Sequence, residues 1–478
     1  MKKISFLLVI TLFSLASCKE EPRVKPAEPA AEQEQFEPVS DKVLESAVIY
    51  EANIRQYSPE GTFDAFTADI PELKKLGVKV IWLMPIHPIS MARRKATGDK
   101  SIEDIKDPEE RKKYLGSYYA VADYGEVNPD YGTKADLDEL VETAHENGMY
   151  VILDWVPNHT GWDHPWLKEH PEFYTQNEQG EPVDPLNPET GESWGWTDVA
   201  DLNYENKELW KAMAEEMKYW VAEHNIDGFR ADVAGEVPTA FWEQVVPQIR
   251  EIKPVFMLAE SEEKELFHNA FDMGYNWEGH HLMNQIAQGK ASVAQWDAYM
   301  KKIDTTYQKD DYLMNFVTNH DENSWNGTVR ERMGEASEAM VALTYAIPGM
   351  PLIYSGQEYD LDKRLKFFVK DTIPHKKGKM WPLLVKLGEL KNSSAALHGG
   401  SDAASYTRLQ TSEDKKVLAF EREKNGERVV FIGNFTDSPV QFNVKLDKNL
   451  QPFLGDGEFE HAVDHEYSFD PWEYVILN

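Results

Sequence analysis

Short apolar runs alternate with amphipathic stretches from residue 47 to about residue 356. AVIYEANI (47–54), VKVIWLMP (78–85), MYVILDWVP (149–157), IDGFRAD (226–232), PVFMLAE (254–260), DYLMNFVTN (311–319) and MPLIYSG (350–356) read as strands, apolar on both faces as buried parallel strands are. Helix-period segments separate them. In 206–225, Leu209, Met213, Met217, Trp220 and Val221 share one face, and the segments 64–77 and 134–148 each close on a glycine. An eighth strand is expected near AFDMGYNW (270–277). Strands alternating with helices predict βαβ units in an α/β fold. Eight such units predict a (β/α)8 barrel rather than a doubly wound sheet, because no glycine-rich phosphate loop follows the first strand.

The pattern also predicts boundaries. The barrel is expected over 46–396, interrupted after its second strand by Ile86 to Thr133 and after its third by an insertion domain at about 161–203. The latter holds Trp162, Trp166, Trp194 and Trp196 among Gly, Pro and Asn. Over 397–478, short runs such as SYTRLQ, KVLAFERE and ERVVFIGNF alternate with turn signals such as Lys424-Asn425-Gly426, which predicts an antiparallel β-sandwich.

Composition narrows the partners. The net charge of −33 argues against nucleic acid, whose recognition needs a dominant basic surface. Lys2 and Lys3 precede the apolar run ISFLLVITLFSLA, which is too short to span a bilayer and has the layout of a signal peptide over 1–17. Leu15-Ala16-Ser17-Cys18 resembles the lipobox of bacterial lipoproteins, which implies cleavage before Cys18 and its lipidation. Cys18 is the single cysteine, so no intramolecular disulfide forms. Residues 18–45, rich in Glu, Pro and Ala, read as a disordered tether with a reach on the order of 80 Å. Lys19 and the glutamates after it favour an outer-membrane, surface-exposed lipoprotein.

Candidate chemistry falls where a (β/α)8 barrel concentrates it, at the C-terminal strand ends. The third strand ends Asp154-Trp155-Val156-Pro157-Asn158-His159, the fourth Arg230-Ala231-Asp232, the fifth in Glu260, the seventh Asn319-His320-Asp321. Arg230 and Asp232, two apart on a strand, project to one face. From these residues alone the pair is either a structural ion pair or part of a site that needs an ionised carboxylate.

DWVPNH, GFRAD, Glu260 in LAES and TNHD, in this order, resemble the four signature segments of the α-amylase family of glycoside hydrolases (family thirteen). VADLN (199–203) resembles its fifth segment and IPGMPLIYSGQE its last strand, and the likeness covers residues 46 to 478. The resemblance implies Asp232 as nucleophile, Arg230 holding it ionised, Glu260 as general acid/base and Asp321 as the third acid. It implies that His159 and His320 bind sugar hydroxyls and that Tyr118 stacks on the sugar. Asp154 reads as a support residue and Glu358 as a rival acid. It further implies a Ca2+ ion held by Asn158 and Asp201, although Gly235-Glu236 replaces the Lys-His usual after the nucleophile. The implied activity is hydrolysis of α-1,4-glucosidic bonds in starch or malto-oligosaccharides, with exo-acting α-glucosidase, branch-point hydrolase, glucanotransferase or a non-catalytic glycan binder as alternatives. The implied partners are the α-glucan and a membrane reached through the lipid; a neighbouring glycan importer fits that context, and a monomer is favoured with the oligomeric state left open.

Overall fold

The computed structural model describes residues 36–187, 190–447, 449–455 and 466–478. The signal peptide and Cys18 lie outside them. Eight parallel strands close a barrel: β1 (Val48–Ala52), β2 (Val78–Leu83), β3 (Tyr150–Trp155), β4 (Gly228–Ala231), β5 (Phe256–Ala259), β6 (Met273–Tyr275), β7 (Tyr312–Asn315) and β8 (Met350–Tyr354). Each strand pairs with its neighbours in sequence, and β1 closes on β8 through Ile49 opposite Leu352. Apart from Lys79, which is half-buried, every residue of these strands is buried, which is why their sequences lack polar alternation.

The helices follow their apolar stripes. Lys207–Glu223 buries Leu209, Met213, Met217, Trp220 and Val221, and the Asn206 side chain caps its start by accepting from the Glu208 N–H. Lys134–Glu146 opens with a Thr133–Asp136 capping box. The helix expected over 64–77 is instead two short ones, Phe63–Thr67 and Ile70–Lys75, the second carrying Pro71 in its first turn. Proline lacks the N–H that would continue the first helix.

The segment after β3 leaves and returns through a two-stranded ribbon, His159–Gly161 against Val199–Asp201, with His159 opposite Asp201. The N-terminal boundary differs from the expected tether ending at 45. Asp41–Leu44 is helical, Val39 and Leu44 are buried, and the Tyr150 hydroxyl donates to the Glu37 carbonyl. These few apolar side chains lie within a Glu- and Pro-rich stretch, so composition alone hides them.

At the C-terminal end, β9 (Ser405–Arg408), β10 (Val417–Lys424), β11 (Glu427–Asn434), β13 (Pro452–Leu454) and β15 (Tyr474–Leu477) form one sheet, and β12 (Val440–Asn443) pairs with β14 (Glu466–Phe469). Period-two alternation divides their side chains. Leu418, Phe420 and Phe431 join the core of the barrel, while Val417, Ala419, Val430 and Ile432 pack with Phe442 and Phe469 between the sheets. Two buried cations sit beside this junction. Arg422 donates to the carbonyls of Ser405, Ala346, His398 and Ala404, and Lys391 to those of Gly349 and Leu397. Among the described residues no helix is long and apolar enough to cross a membrane.

Candidate active site

The strand ends converge on one guanidinium. Arg230, fully buried near the end of β4, donates from Nη1 to Asp154 Oδ1 at 2.8 Å and to Asp232 Oδ1 at 2.9 Å. Its Nη2 pairs with Glu260 Oε2 at 2.9 Å, and its Nε donates to the Tyr275 hydroxyl at 3.2 Å. The ion pair suspected from spacing is therefore also the hub of a three-carboxylate cluster. Asp154 is fixed from its other oxygen by the Trp82 indole N–H and the Tyr119 hydroxyl, each at 3.1 Å.

Glu260 is held by the backbone as well. The Val233 N–H donates to Glu260 Oε2 at 2.8 Å. Val233 has φ 38°, ψ 48°, the left-handed region, which a β-branched residue enters only under constraint. The strained turn right after Asp232 thus aims a donor at the neighbouring acid.

On both acids burial and one shared cation act in opposite directions. Burial, with Asp232 and Asp321 adding, pushes Glu260 up to about 7 against the pull of Arg230. Burial pushes Asp232 up to about 6, again opposed by Arg230. The arginine lowers Asp232 as expected from sequence, but desolvation outweighs it. Asp321 is held below the usual carboxylate range: burial raises it, and His320, joined by Arg230 and the Trp325 indole, more than offsets that. Its carboxylate takes the Trp325 indole N–H at 3.1 Å and lies 3.3 Å from His320 Nε2. Burial drops His159 to about 4, leaving a neutral ring beside the Trp196 indole, 5.8 Å between centroids.

One expected position shifts. Tyr118 turns from the acids: its hydroxyl donates to Asn53 Oδ1 at 3.2 Å and the Arg55 guanidinium covers its ring at 3.7 Å. Tyr119 takes the place assigned to it. Its hydroxyl joins Asp154 to His320 Nε2, the latter at 2.7 Å, and its ring stacks on His320. Glu358 sits apart from the cluster, receiving the Tyr50 hydroxyl at 2.6 Å and the Gly356 N–H at 2.8 Å. Of the four tryptophans, Trp166 is buried in the core, Trp162 lies under Arg93, and Trp194 is exposed and stacked on Trp196. Sequence reasoning missed Glu51, whose only signal is one charge inside the apolar run VIYEA.

The expected metal ligands stand apart from the acids. Burial raises Asp201 to about 6, with Asp184 and Glu236 adding to it. Asn158 Nδ2 lies 3.3 Å from His159 Nδ1. A half-buried carboxyl in the field of two other acids is the oxygen donor chemistry that suits a hard cation. Among the described residues, however, no group of three or more His, Cys, Asp or Glu could hold a metal ion.

A closed parallel barrel with three carboxyl groups gathered on one buried arginine at its C-terminal mouth has the layout of a barrel enzyme's site. The chain belongs to the α-amylase family: the model of the alpha amylase catalytic domain matches residues 40–380. It is 24% identical over 443 residues to alpha-amylase MalA of Haloarcula japonica, covering 88% of this chain and 61% of that protein. It is 25% identical over 365 residues to an alpha-1,4-glucan:maltose-1-phosphate maltosyltransferase of Salinibacter ruber, covering 72% of this chain and 53% of that one. The chain thus spans less than two thirds of both relatives. Among solved structures, an alpha-amylase from Lactobacillus plantarum superposes with a TM-score of 0.78 at 29% identity, covering 92% of this chain and 99% of that one.

Proposed function

We propose that this protein is a retaining hydrolase of α-1,4-glucosidic bonds in starch or malto-oligosaccharides. The observation that carries this is the single guanidinium of Arg230 bridging Asp232 and Glu260, two acids that burial raises and that one shared cation opposes. Retaining cleavage needs two close carboxyl groups in unlike protonation states. Asp232 attacks the anomeric carbon as the bond to the leaving oxygen breaks, and Glu260 gives that oxygen its proton. Glu260, now ionised, takes a proton from water, whose oxygen displaces Asp232 and restores both groups. Asp321, kept ionised beside His320, accepts sugar hydroxyls, and Tyr119 and His159 line the same cleft.

Transfer is the second reading, favoured by the maltosyltransferase relatives, because a sugar hydroxyl in place of water completes the same cycle. Maltoheptaose, amylose and maltose 1-phosphate, each incubated with the protein, separate the two. Shorter maltodextrins released first as α-anomers support hydrolysis. Products longer than the substrate support transfer. Full turnover by Glu260→Gln would overturn both.

Ca2+ belongs to the proposal as a structural ion. Asn158 and Asp201 would hold it, tying the ribbon to the end of β3, and it supplies no chemical step. Added Ca2+ should raise the melting temperature over that in EGTA, and an unchanged melt rejects the site. Lipidation of Cys18, an outer-membrane location and a neighbouring glycan importer complete the reading. Cys18→Ala should release the protein from the membrane fraction, and retention there refutes the anchor.

A further inference from the structure

The least expected group at the mouth is Glu51, on β1. Its carboxyl is fully buried, and Oε1 lies 2.5 Å from His320 Nδ1 while also accepting the His320 backbone N–H at 3.3 Å. Its Oε2 is buried with no hydrogen-bond partner among the described residues. Burial raises Glu51, and His320 first and then Arg230 work against that, so an ionised Glu51 depends on a charged His320 beside it.

Proton accounting around the ring gives the same answer. Nδ1 faces Glu51 Oε1, which is already an acceptor. Nε2 faces the Tyr119 oxygen at 2.7 Å and Asp321 Oδ2 at 3.3 Å. The one hydroxyl proton of Tyr119 is directed to Asp154 Oδ2 at 3.1 Å, so its oxygen receives from Nε2. Both ring nitrogens meet acceptors, and only the imidazolium has two N–H donors.

We propose that Glu51 is a positioning residue of the catalytic centre: it fixes a proton on Nδ1 of His320 and so holds the ring as an imidazolium whose Nε2–H serves the cleft. Asp321 is kept ionised by that charge. The other titratable groups around the pair are Arg230, Asp154, Tyr119, Tyr275 and Tyr354. Burial works against the charged ring, and Asp321 and Glu51 together more than offset it. For its catalytic consequence the inference rests on the proposed glycosidase chemistry; for the charge on His320 it does not.

The test is nitrogen-15 NMR of the histidine side chains in the whole protein from pH 6 to 9, with the His320 signal assigned by its absence from His320→Asn. The expected result is a doubly protonated His320 at pH 7 in the unmutated protein. In Glu51→Gln, which keeps shape and an acceptor but loses the charge, its midpoint should fall by about one pH unit or more. The kcat/KM on maltoheptaose should drop about tenfold at pH 7, the loss of one charge-assisted hydrogen bond. A neutral His320 at pH 7 in the unmutated protein overturns the proposal whether or not the variant folds, and so does an unmoved midpoint in Glu51→Gln. A charged His320 that responds to Glu51→Gln in a protein without glycosidase activity upholds the pair and rejects the functional reading instead.

Discussion

Two fully buried arginines make opposite bargains with their surroundings. Arg230, at the barrel mouth, meets three carboxylates, and although burial alone would lower its proton affinity, those charges lift it far above the usual value. Arg422, at the junction with the C-terminal sheet, meets four backbone carbonyls and no carboxylate within ion-pairing distance among the described residues, and burial pulls it down to about 10. Lys391 beside it is likewise lowered by burial and then by Arg422. Neutral acceptors join two parts of a fold and leave the buried cations themselves to bear the cost of desolvation. Opposed charges sharing one cation leave acids whose protons are ready to move. Both arginines are buried, and they differ in whether their partners carry charge.

Exchanging each arginine for methionine tests this directly. Arg230→Met should lower kcat/KM by about a thousandfold, because the acids lose the charge that sets their protonation and orientation. Arg422→Met should instead cost about 3 kcal/mol of stability, read by urea unfolding, through stranded carbonyls, with kcat per folded molecule unchanged. A rate loss in the second variant equal to the first would remove the distinction.

The pH profile sharpens the comparison at the mouth. In the proposed mechanism Asp232 acts ionised, so kcat/KM should rise as pH climbs through about 6. Glu260 acts protonated, so it should fall again as pH climbs through about 7. A plateau extending well above pH 8 would contradict the assigned acid.

The smallest effect separates the adjacent tyrosines. Tyr119→Phe breaks the link between Asp154 and His320 and should lower kcat/KM about fivefold, whereas Tyr118→Phe loses one neutral hydrogen bond to Asn53 and should change it less than about twofold. Equal losses would restore Tyr118 to the site.

What could be read from sequence follows from how far each signal reaches. The barrel strands announce themselves because they are apolar on both faces, and Asp232, Glu260 and Asp321 because they interrupt or follow such runs at their C-terminal ends. Tyr118 and Tyr119 are chemically identical neighbours, and only the local backbone decides which one turns to the acids. Glu51 stands 269 residues from His320, and no local pattern couples positions so distant. The short helix at Asp41–Leu44 was hidden by a composition shared with the stretch before it.

The pairing of β1 with β8 carries a consequence in time. The ribosome delivers Ile49 long before its partner Leu352, roughly 15–60 s earlier at ordinary elongation rates. Glu51 emerges with the first strand and His320 only shortly before the last. The cradle around that histidine therefore closes only once the barrel's last strand can dock against its first, with the C-terminal sheet still to be made. Until then the nascent chain carries every acid it needs and no centre in which to use them.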